Sequence, residues 1–247
     1  MDKIQFSKII RKITRDYINI RGRGFIKGFT ANLTPEKIFL EQLNLKGLIV
    51  YDIGSSSGTF TVFFSRNVGR QGRVIAFEPL EENCRALEDR AKRCRLTNIE
   101  IINLGIGNEH GYRNIAVRAG ESATASMQEE IFSSIKSEIG STVRSIKIDT
   151  IDNLVLSRRI LSPDFVKIDV EGMEIEVLYG MEQVIMAKKP ILFCEIHGID
   201  LNNKRKNMSE ISKFLLAHQY SLHHVESNLS EKDVDWEFIS EGHIYCR

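Results

Sequence analysis

Four short, nearly unbroken apolar runs mark this chain: Leu48-Ile49-Val50-Tyr51, Arg73-Val74-Ile75-Ala76-Phe77, Phe165-Val166-Lys167-Ile168 and Pro190-Ile191-Leu192-Phe193. Runs of this length, bounded by acids, glycines and prolines, predict strands buried on both faces rather than alternating half-exposed ones. Between them lie helix-like stretches, from Leu80 to about Arg93 and from Met173 to about Ala187. Alternation of this kind predicts an α/β fold with a doubly wound, mostly parallel sheet. Asn98 to Asn103 adds a strand, and Thr150-Ile151-Asp152 opens a helical turn. Gly105 to Arg118, turning through Asn108-Glu109-His110-Gly111, reads as an inserted hairpin, and Ser145 to Ile148 as a short strand. Gly120 to Met127 is a small-residue loop. A helix near Asn207 to Ala217 precedes terminal strands around Tyr220 to Val225, Trp236 to Ile239 and His243 to Cys246.

Ahead of the first strand the pattern changes. Phe6, Ile9, Ile10, Ile13, Tyr17 and Ile20 fall within an arc of about 100° on a helical wheel, with Lys8, Arg11, Lys12 and Arg15 opposite. Residues 1–33 therefore read as a basic, amphipathic helical extension, and residues 34–247 as one domain that opens at Thr34-Pro35-Glu36, a helix start with a capping hydroxyl. The extension suits docking on the domain or on a second subunit, giving a homodimer. The alternative is peripheral contact with anionic lipid, which the basic, Ile-rich composition allows. Formal charge is +1 for the whole chain, but residues 1–29 carry eight basic side chains against Asp2 and Asp16. The remainder is thus mildly acidic, which argues against nucleic acid as a partner. Cys84, Cys94, Cys194 and Cys246 form no C-x-x-C pair and no zinc spacing, so reduced thiols and a cytoplasmic location are expected.

The candidate chemistry begins where the first strand ends. Asp52-Ile53-Gly54-Ser55-Ser56-Ser57-Gly58 spaces its glycines as D-x-G-x-x-x-G, not as the G-x-G-x-x-G of dinucleotide sites, and favours S-adenosylmethionine over NAD. Glu78 closes the second strand, 24 residues after Gly54, where a carboxylate can accept both ribose hydroxyls. Lys167, Asp169 and Glu171 share one side of the chain while it stays extended, with a Lys167–Asp169 ion pair and a helix-capping Glu171 as the plain reading. Glu195 and His197 repeat the acid-rich pattern at the end of the next strand.

Taken in order, Tyr51-Asp52-Ile53-Gly54 through Thr61, Ala76-Phe77-Glu78-Pro79 with Asn83, Gly105-Ile106-Gly107-Asn108, Thr150-Ile151-Asp152, Val166 through Gly172, and Pro190 through Glu195 resemble the FkbM family of methyltransferases. The resemblance spans residues 46 to 200. It implies a class I Rossmann-like methyltransferase with a seven-stranded sheet and an antiparallel C-terminal strand, using S-adenosylmethionine to methylate a hydroxyl of a sugar, glycolipid or small natural product. It also implies cofactor contacts from Asp52, Gly54, Ser55, Ser56, Gly58, Thr59, Glu78, Pro79, Gly107, Asn108 and Asp169. The family's glycine loop reads Ala-Asn where this chain has Ser55-Ser56.

In that sheet order the strands ending at Asp52, Asp169 and His197 lie side by side, and ligands sit at such rims. Glu171 and Glu195 become candidate acceptor contacts. His197, with an ordinary pKa near neutrality, and Asp169 are the rival general bases. No metal is assigned, although the acids permit a divalent ion. A nucleic-acid amino-methyltransferase would carry Pro-Pro and an aromatic after the fourth-strand acid, where this chain has Val170-Glu171-Gly172. A protein methyltransferase and a non-catalytic S-adenosylmethionine-binding module are the remaining alternatives.

Overall fold

The computed structural model describes residues 34–117, 125–126, 129–230, 232–233, 235–236, 239 and 241–247. The amphipathic extension, most of the Gly120–Met127 loop and part of the Trp236–Ile239 strand lie outside the described residues. The chain divides into two compact units, residues 1–44 and 45–247. In the first, α1 (Pro35–Glu41) starts as expected with proline in its first turn. The Thr34 hydroxyl, however, turns to the Glu36 carboxylate instead of capping a backbone N–H.

The second unit is built on an eight-stranded sheet. Its parallel centre is β1 (Ile49–Ile53), β2 (Arg73–Phe77), β3 (Ile99–Ile102), β8 (Phe165–Ile168) and β9 (Ile191–Glu195). Across the sheet the order is β3-β2-β1-β8-β9, continued by β12 (His243–Cys246), β10 (Leu222–His224) and the two-residue β11 (Leu229–Ser230). β12 runs antiparallel between β9 and β10. This is the expected seven-strand arrangement with one short edge strand added. Val50, Tyr51 and Ile53 are buried on β1, as are Phe165, Val166 and Ile168 on β8. Both faces of these strands are covered, which is why their sequences do not alternate. Burying each such side chain contributes about 1.5–3 kcal/mol.

Polar groups set the register at the centre. Asp164 accepts a hydrogen bond from the Ile49 amide at 2.8 Å through its carboxylate and donates its own amide to the Ile49 carbonyl, also at 2.8 Å. This clamp aligns the starts of β1 and β8, so Ile53 comes level with Ile168 and the two strands end together.

The inserted element differs from the expected local hairpin. β4 (Gly105–Ile106) does not pair with β5 (Gly111–Val117); β7 (Thr142–Asp149) lies between them, parallel to β4 and antiparallel to β5. With β6 (Ala125–Ser126) they form a separate four-stranded sheet, followed in the chain by α4 (Glu129–Lys136) between β6 and β7. Ile115, Val117, Ile146 and Ile148 pack with Leu80 as a small satellite core. A turn signal at 108–111 marks where the chain reverses but not which strand receives it.

Helices α2 (Thr59–Val68) and α3 (Glu81–Arg93) follow β1 and β2, and α5 (Ile151–Leu156) starts on a Thr150 cap that accepts from the Asn153 amide at 3.0 Å. The helix expected from Met173 to Ala187 is split into α6 (Glu174–Tyr179) and α7 (Glu182–Lys188). Gly180 explains the break: a Cβ there would lie 1.9 Å from the Gly107 carbonyl oxygen, so the backbones touch. Asp152 then caps α7 across the fold, its two oxygens accepting from Gln183 and Val184 amides at 2.9 Å each. The last helix, α8 (Leu201–Ala217), is longer than its apolar pattern suggested because Asp200 caps it by accepting from the Asn203 amide at 2.8 Å. Among the described residues no helix is long and apolar enough to cross a membrane, and all four cysteines are free.

Candidate functional site

The carboxyl ends of β1, β2, β8 and β9 open on a cavity of about 320 Å³. Gly54, Ser55, Ser56, Thr59, Glu78, Pro79, Asp169, Glu171, Glu195 and His197 all line it, so most of the sequence-predicted residues converge. Asp52, Gly58, Gly107 and Asn108 do not. The strand order accounts for the convergence, because β1, β8 and β9 are neighbours and their following loops meet at one rim.

Gly54 is where the loop is most constrained. Its φ is +79°, and a Cβ would lie 1.8 Å from the Asp169 carbonyl oxygen. Only glycine lets the two strand ends come this close. The amides of Gly54 and Ser55 both donate to the Phe77 carbonyl, at 3.0 and 3.1 Å, which ties the loop to the end of β2. Gly58 serves packing: its φ is +84° and a Cβ would meet Leu87 Cδ1 at 2.1 Å, so the loop sits tightly on α3. Ser56 occupies the left-handed region at φ +46°, a conformation that glycine and asparagine tolerate better than serine.

Two buried oxygens here lack hydrogen-bond partners among the described residues. Ser55 Oγ lies on the cavity wall, while Asp52 Oδ1 lies beneath it. Asp52 Oδ2 accepts from Thr61 Oγ1 at 2.5 Å. Burial raises the Asp52 pKa, and the nearby Lys167 charge opposes that rise. Glu78, 4% exposed, is held by three donors: the Ser56 amide at 2.8 Å, the Leu80 amide at 2.9 Å and Asn83 Nδ2 at 3.2 Å. Burial nevertheless leaves its pKa raised. The carboxylate is fixed in orientation and retains lone pairs for further donors.

Opposite lies a cluster of charge. Lys167 Nζ is buried, 2.7 Å from Asp169 Oδ2 and 4.6 Å from the centre of the Phe60 ring, so the expected ion pair forms. Burial would lower the Lys167 pKa, but Asp169 and Asp52 outweigh it and raise it. His197 meets four carboxylates: Nδ1 is 2.8 Å from Glu174 Oε1, and Nε2 is 3.6 Å from Glu195 Oε1, 3.7 Å from Asp169 Oδ1 and 3.9 Å from Glu171 Oε2. Burial alone would disfavour the imidazolium, yet the Glu174 hydrogen bond and the surrounding negative charges push its pKa up to about 10. These neighbours favour the charged form of the ring. A ring held in its charged form in this way is a poorer general base than its ordinary pKa suggested.

Several participants were not among the sequence candidates. Glu174, not Glu171, accepts the amide at the start of α6, from Gly172 at 3.0 Å. Glu171 instead adopts φ +53° and points to the cavity wall. Behind Glu195, His243 Nε2 lies 3.4 Å from Glu195 Oε2, and His243 Nδ1 lies 2.6 Å from Glu226 Oε1. Burial works against a charged His243, but Glu195 and Glu226 push its pKa up to about 9. Burial likewise raises the pKa of Glu195, but His243 and His197 outweigh it and bring it down to about 2. Acid-histidine spacing at the end of β9 signals His197; nothing local signals His243, which arrives on another strand.

Set beside known proteins, residues 52–222 match the family model described as the methyltransferase FkbM domain. The hexuronic acid methyltransferase AglP of Haloferax volcanii is 30% identical over 163 residues, which cover 66% of this chain and 62% of that protein. The AMB antimetabolite synthetase AmbE of Pseudomonas aeruginosa is 25% identical over 179 residues, covering 60% of this chain and 8% of the synthetase. The chain thus spans less than two thirds of either relative. Among solved structures, the methyltransferase FkbM of Methylobacillus flagellatus superposes with a TM-score of 0.53 at 18% identity, over 81% of this chain and 43% of that one.

Proposed function

The chain belongs to the FkbM methyltransferase family, and from that premise we propose that it moves a methyl group from S-adenosylmethionine to a hydroxyl of a sugar-type acceptor. The observation that carries the reading is one cavity with two chemically distinct ends: a glycine loop with Glu78 at one, and Asp169, Glu171, Glu195 and His197 at the other. The donor supplies an electrophilic methyl on a sulfonium; the rest is the work of the chain.

At the loop end, the unpartnered Ser55 hydroxyl and the fixed Glu78 carboxylate fit a polar nucleoside and its methionine tail. Glu78 would accept the ribose hydroxyls through lone pairs its three donors leave open. Gly54 and Ser56 bring backbone close to the ligand, and Thr59 and Pro79 complete the wall. Asp52 and Gly58 act from behind, the first through Lys167 and Thr61 and the second by seating the loop on α3. Gly107 and Asn108 follow β4 and pack against Gly180, and neither lines the cavity.

At the other end both Asp169 and His197 face the acceptor hydroxyl, Asp169 to take its proton and His197, whose charged form its neighbours favour, to donate to its oxygen. Asp169 Oδ2 is engaged by Lys167, which leaves Oδ1 to face the acceptor; His197 Nδ1 is engaged by Glu174, which leaves Nε2. Glu171 and Glu195 would accept hydrogen bonds from acceptor hydroxyls, and a polyhydroxylated ring offers several. The name of the Haloferax relative supports a sugar acid as the acceptor class. Positioning in a water-poor pocket supplies most of the acceleration expected of such a reaction.

The test is transfer of a labelled methyl group to a panel of uronic acid glycans, neutral glycans, lipids, proteins and nucleic acids. Label in the hydroxyl of a uronic acid or neutral glycan is expected; label confined to nucleic acid or protein would refute the acceptor class. Calorimetric titration with S-adenosylmethionine tests the cofactor end separately, with Glu78→Ala expected to weaken binding at least tenfold.

A further inference from the structure

We propose that Asp169, Glu195 and His197 form a divalent-cation site at the acceptor end of the cavity. The proposal deepens the reading above, since the ion would hold the acceptor oxygen. Each of the three residues offers one ligand atom, and those atoms lie within 4.8 Å of one another.

Their geometry is that of ligands rather than of hydrogen-bond partners. His197 Nε2 lies 3.7 Å from Asp169 Oδ1 and 3.6 Å from Glu195 Oε1, both too far for a hydrogen bond. Ligands held at about 2.1 Å by one ion stand roughly 3.0 Å apart at right angles and about 4.2 Å apart when opposite, and both separations fall between these limits.

Each ligand is also held from behind, leaving one atom turned inward. Lys167 binds the second oxygen of Asp169 at 2.7 Å, His243 faces the second oxygen of Glu195 at 3.4 Å, and Glu174 holds Nδ1 of the imidazole at 2.8 Å. A carboxylate on the far nitrogen of a ligating histidine fixes its tautomer and orientation and strengthens it as a ligand.

Glu174 adds an independent argument for a cation. It is 1% exposed, and its Oε2 has no hydrogen-bond partner among the described residues. A buried carboxylate with an unsatisfied oxygen, on the same imidazole that three further acids face, concentrates more negative charge than the adjacent Lys167 ammonium balances. An ion bound at Nε2 would supply the missing positive charge. Two carboxylates and one imidazole suit Mn²⁺ better than Mg²⁺, which prefers an all-oxygen shell. Bound there, the ion would acidify a coordinated hydroxyl and screen a sugar carboxylate from the acidic rim.

The experiment is titration of the full, chelator-treated chain with Mn²⁺, followed by loss of the free-ion signal in electron paramagnetic resonance, with no methyl donor or acceptor present. One ion per chain is expected, with affinity falling at least tenfold in His197→Ala and in Glu195→Ala. Circular dichroism confirms that the variants are folded. No binding by the wild-type chain at millimolar Mn²⁺ would overturn the site, and so would binding that folded variants leave unchanged. Because Mn²⁺ is read directly, such a failure would leave S-adenosylmethionine binding and methyl transfer to be judged by their own assays.

Discussion

Replacing Gly54 by alanine isolates the contact on which the cavity depends. An alanine Cβ would lie 1.8 Å from the Asp169 carbonyl oxygen, whereas carbon and oxygen in contact stay about 3.3 Å apart. The strand ends must therefore separate by about 1.5 Å, and both atoms belong to backbone segments that cannot rotate away. Left-handed backbone adds about 1–2 kcal/mol for any residue with a Cβ, and overpacking typically about 1–3 kcal/mol. The expected destabilisation is about 2–5 kcal/mol. Gly47 is the matched control, with φ +81° and nothing within 4 Å of an added Cβ, so Gly47→Ala should cost only the backbone term, about 1–2 kcal/mol. Urea denaturation measures both, and calorimetry measures S-adenosylmethionine binding, expected to weaken at least tenfold only in Gly54→Ala. Equal losses of stability in the two variants, with cofactor affinity within twofold of wild type in both, would refute the argument from close approach.

Ser56→Asn should raise stability by about 0.5–1 kcal/mol in urea melts, because asparagine tolerates the left-handed φ of +46° better than serine; a loss would show that the serine side chain supports the loop. Lys167→Met removes the ammonium from between Asp169 and the buried Asp52 and should cost about 3 kcal/mol at pH 7. The deficit should shrink as pH falls and Asp52, whose pKa burial raises, becomes neutral; a pH-independent deficit would exclude the charge explanation. Burial tends to raise the Asp149 pKa, but bonds from Asn153, the Thr150 amide and His110 outweigh it and hold it below 3.8. Its folded pKa being depressed, Asp149 stabilises the fold above the unfolded value and loses that contribution as pH falls through the folded one. Asp149→Asn should therefore cost about 1–3 kcal/mol at pH 7, and wild type and variant should converge below about pH 3.8 in denaturation profiles.

The parallel centre of the sheet was legible because β1, β2, β8 and β9 are buried on both faces and so appear as apolar runs. The glycine loop was legible because a close backbone approach demands glycine at a strand end, and Glu78 because an acid closing the second strand at that spacing is the residue type a ribose contact would require. What escaped reading depends on partners distant in sequence. Glu174 looks like an ordinary first-turn acid until His197 is placed against it. His243 acquires its meaning only because β12 inserts beside β9. Gly180 sits within a helical pattern, and only the approach of Gly107 makes it a break. The pairing of β5 with β7 is decided by the satellite core around Leu80 rather than by the turn at 108–111.

The clamp between Ile49 and Asp164 joins residues 115 positions apart, and Gly54 meets Asp169 across a similar length of chain. Closing so long a loop brings no local contacts early in folding, so parallel strands of this separation pair slowly. During synthesis, then, a growing polypeptide that has emerged through β1, the glycine loop and Glu78 still has no binding pocket. The wall opposite Gly54 has yet to be translated. Ligand cannot protect the nascent amino-terminal half, and fragments released before residue 169 should be degraded regardless of how much S-adenosylmethionine the cell contains.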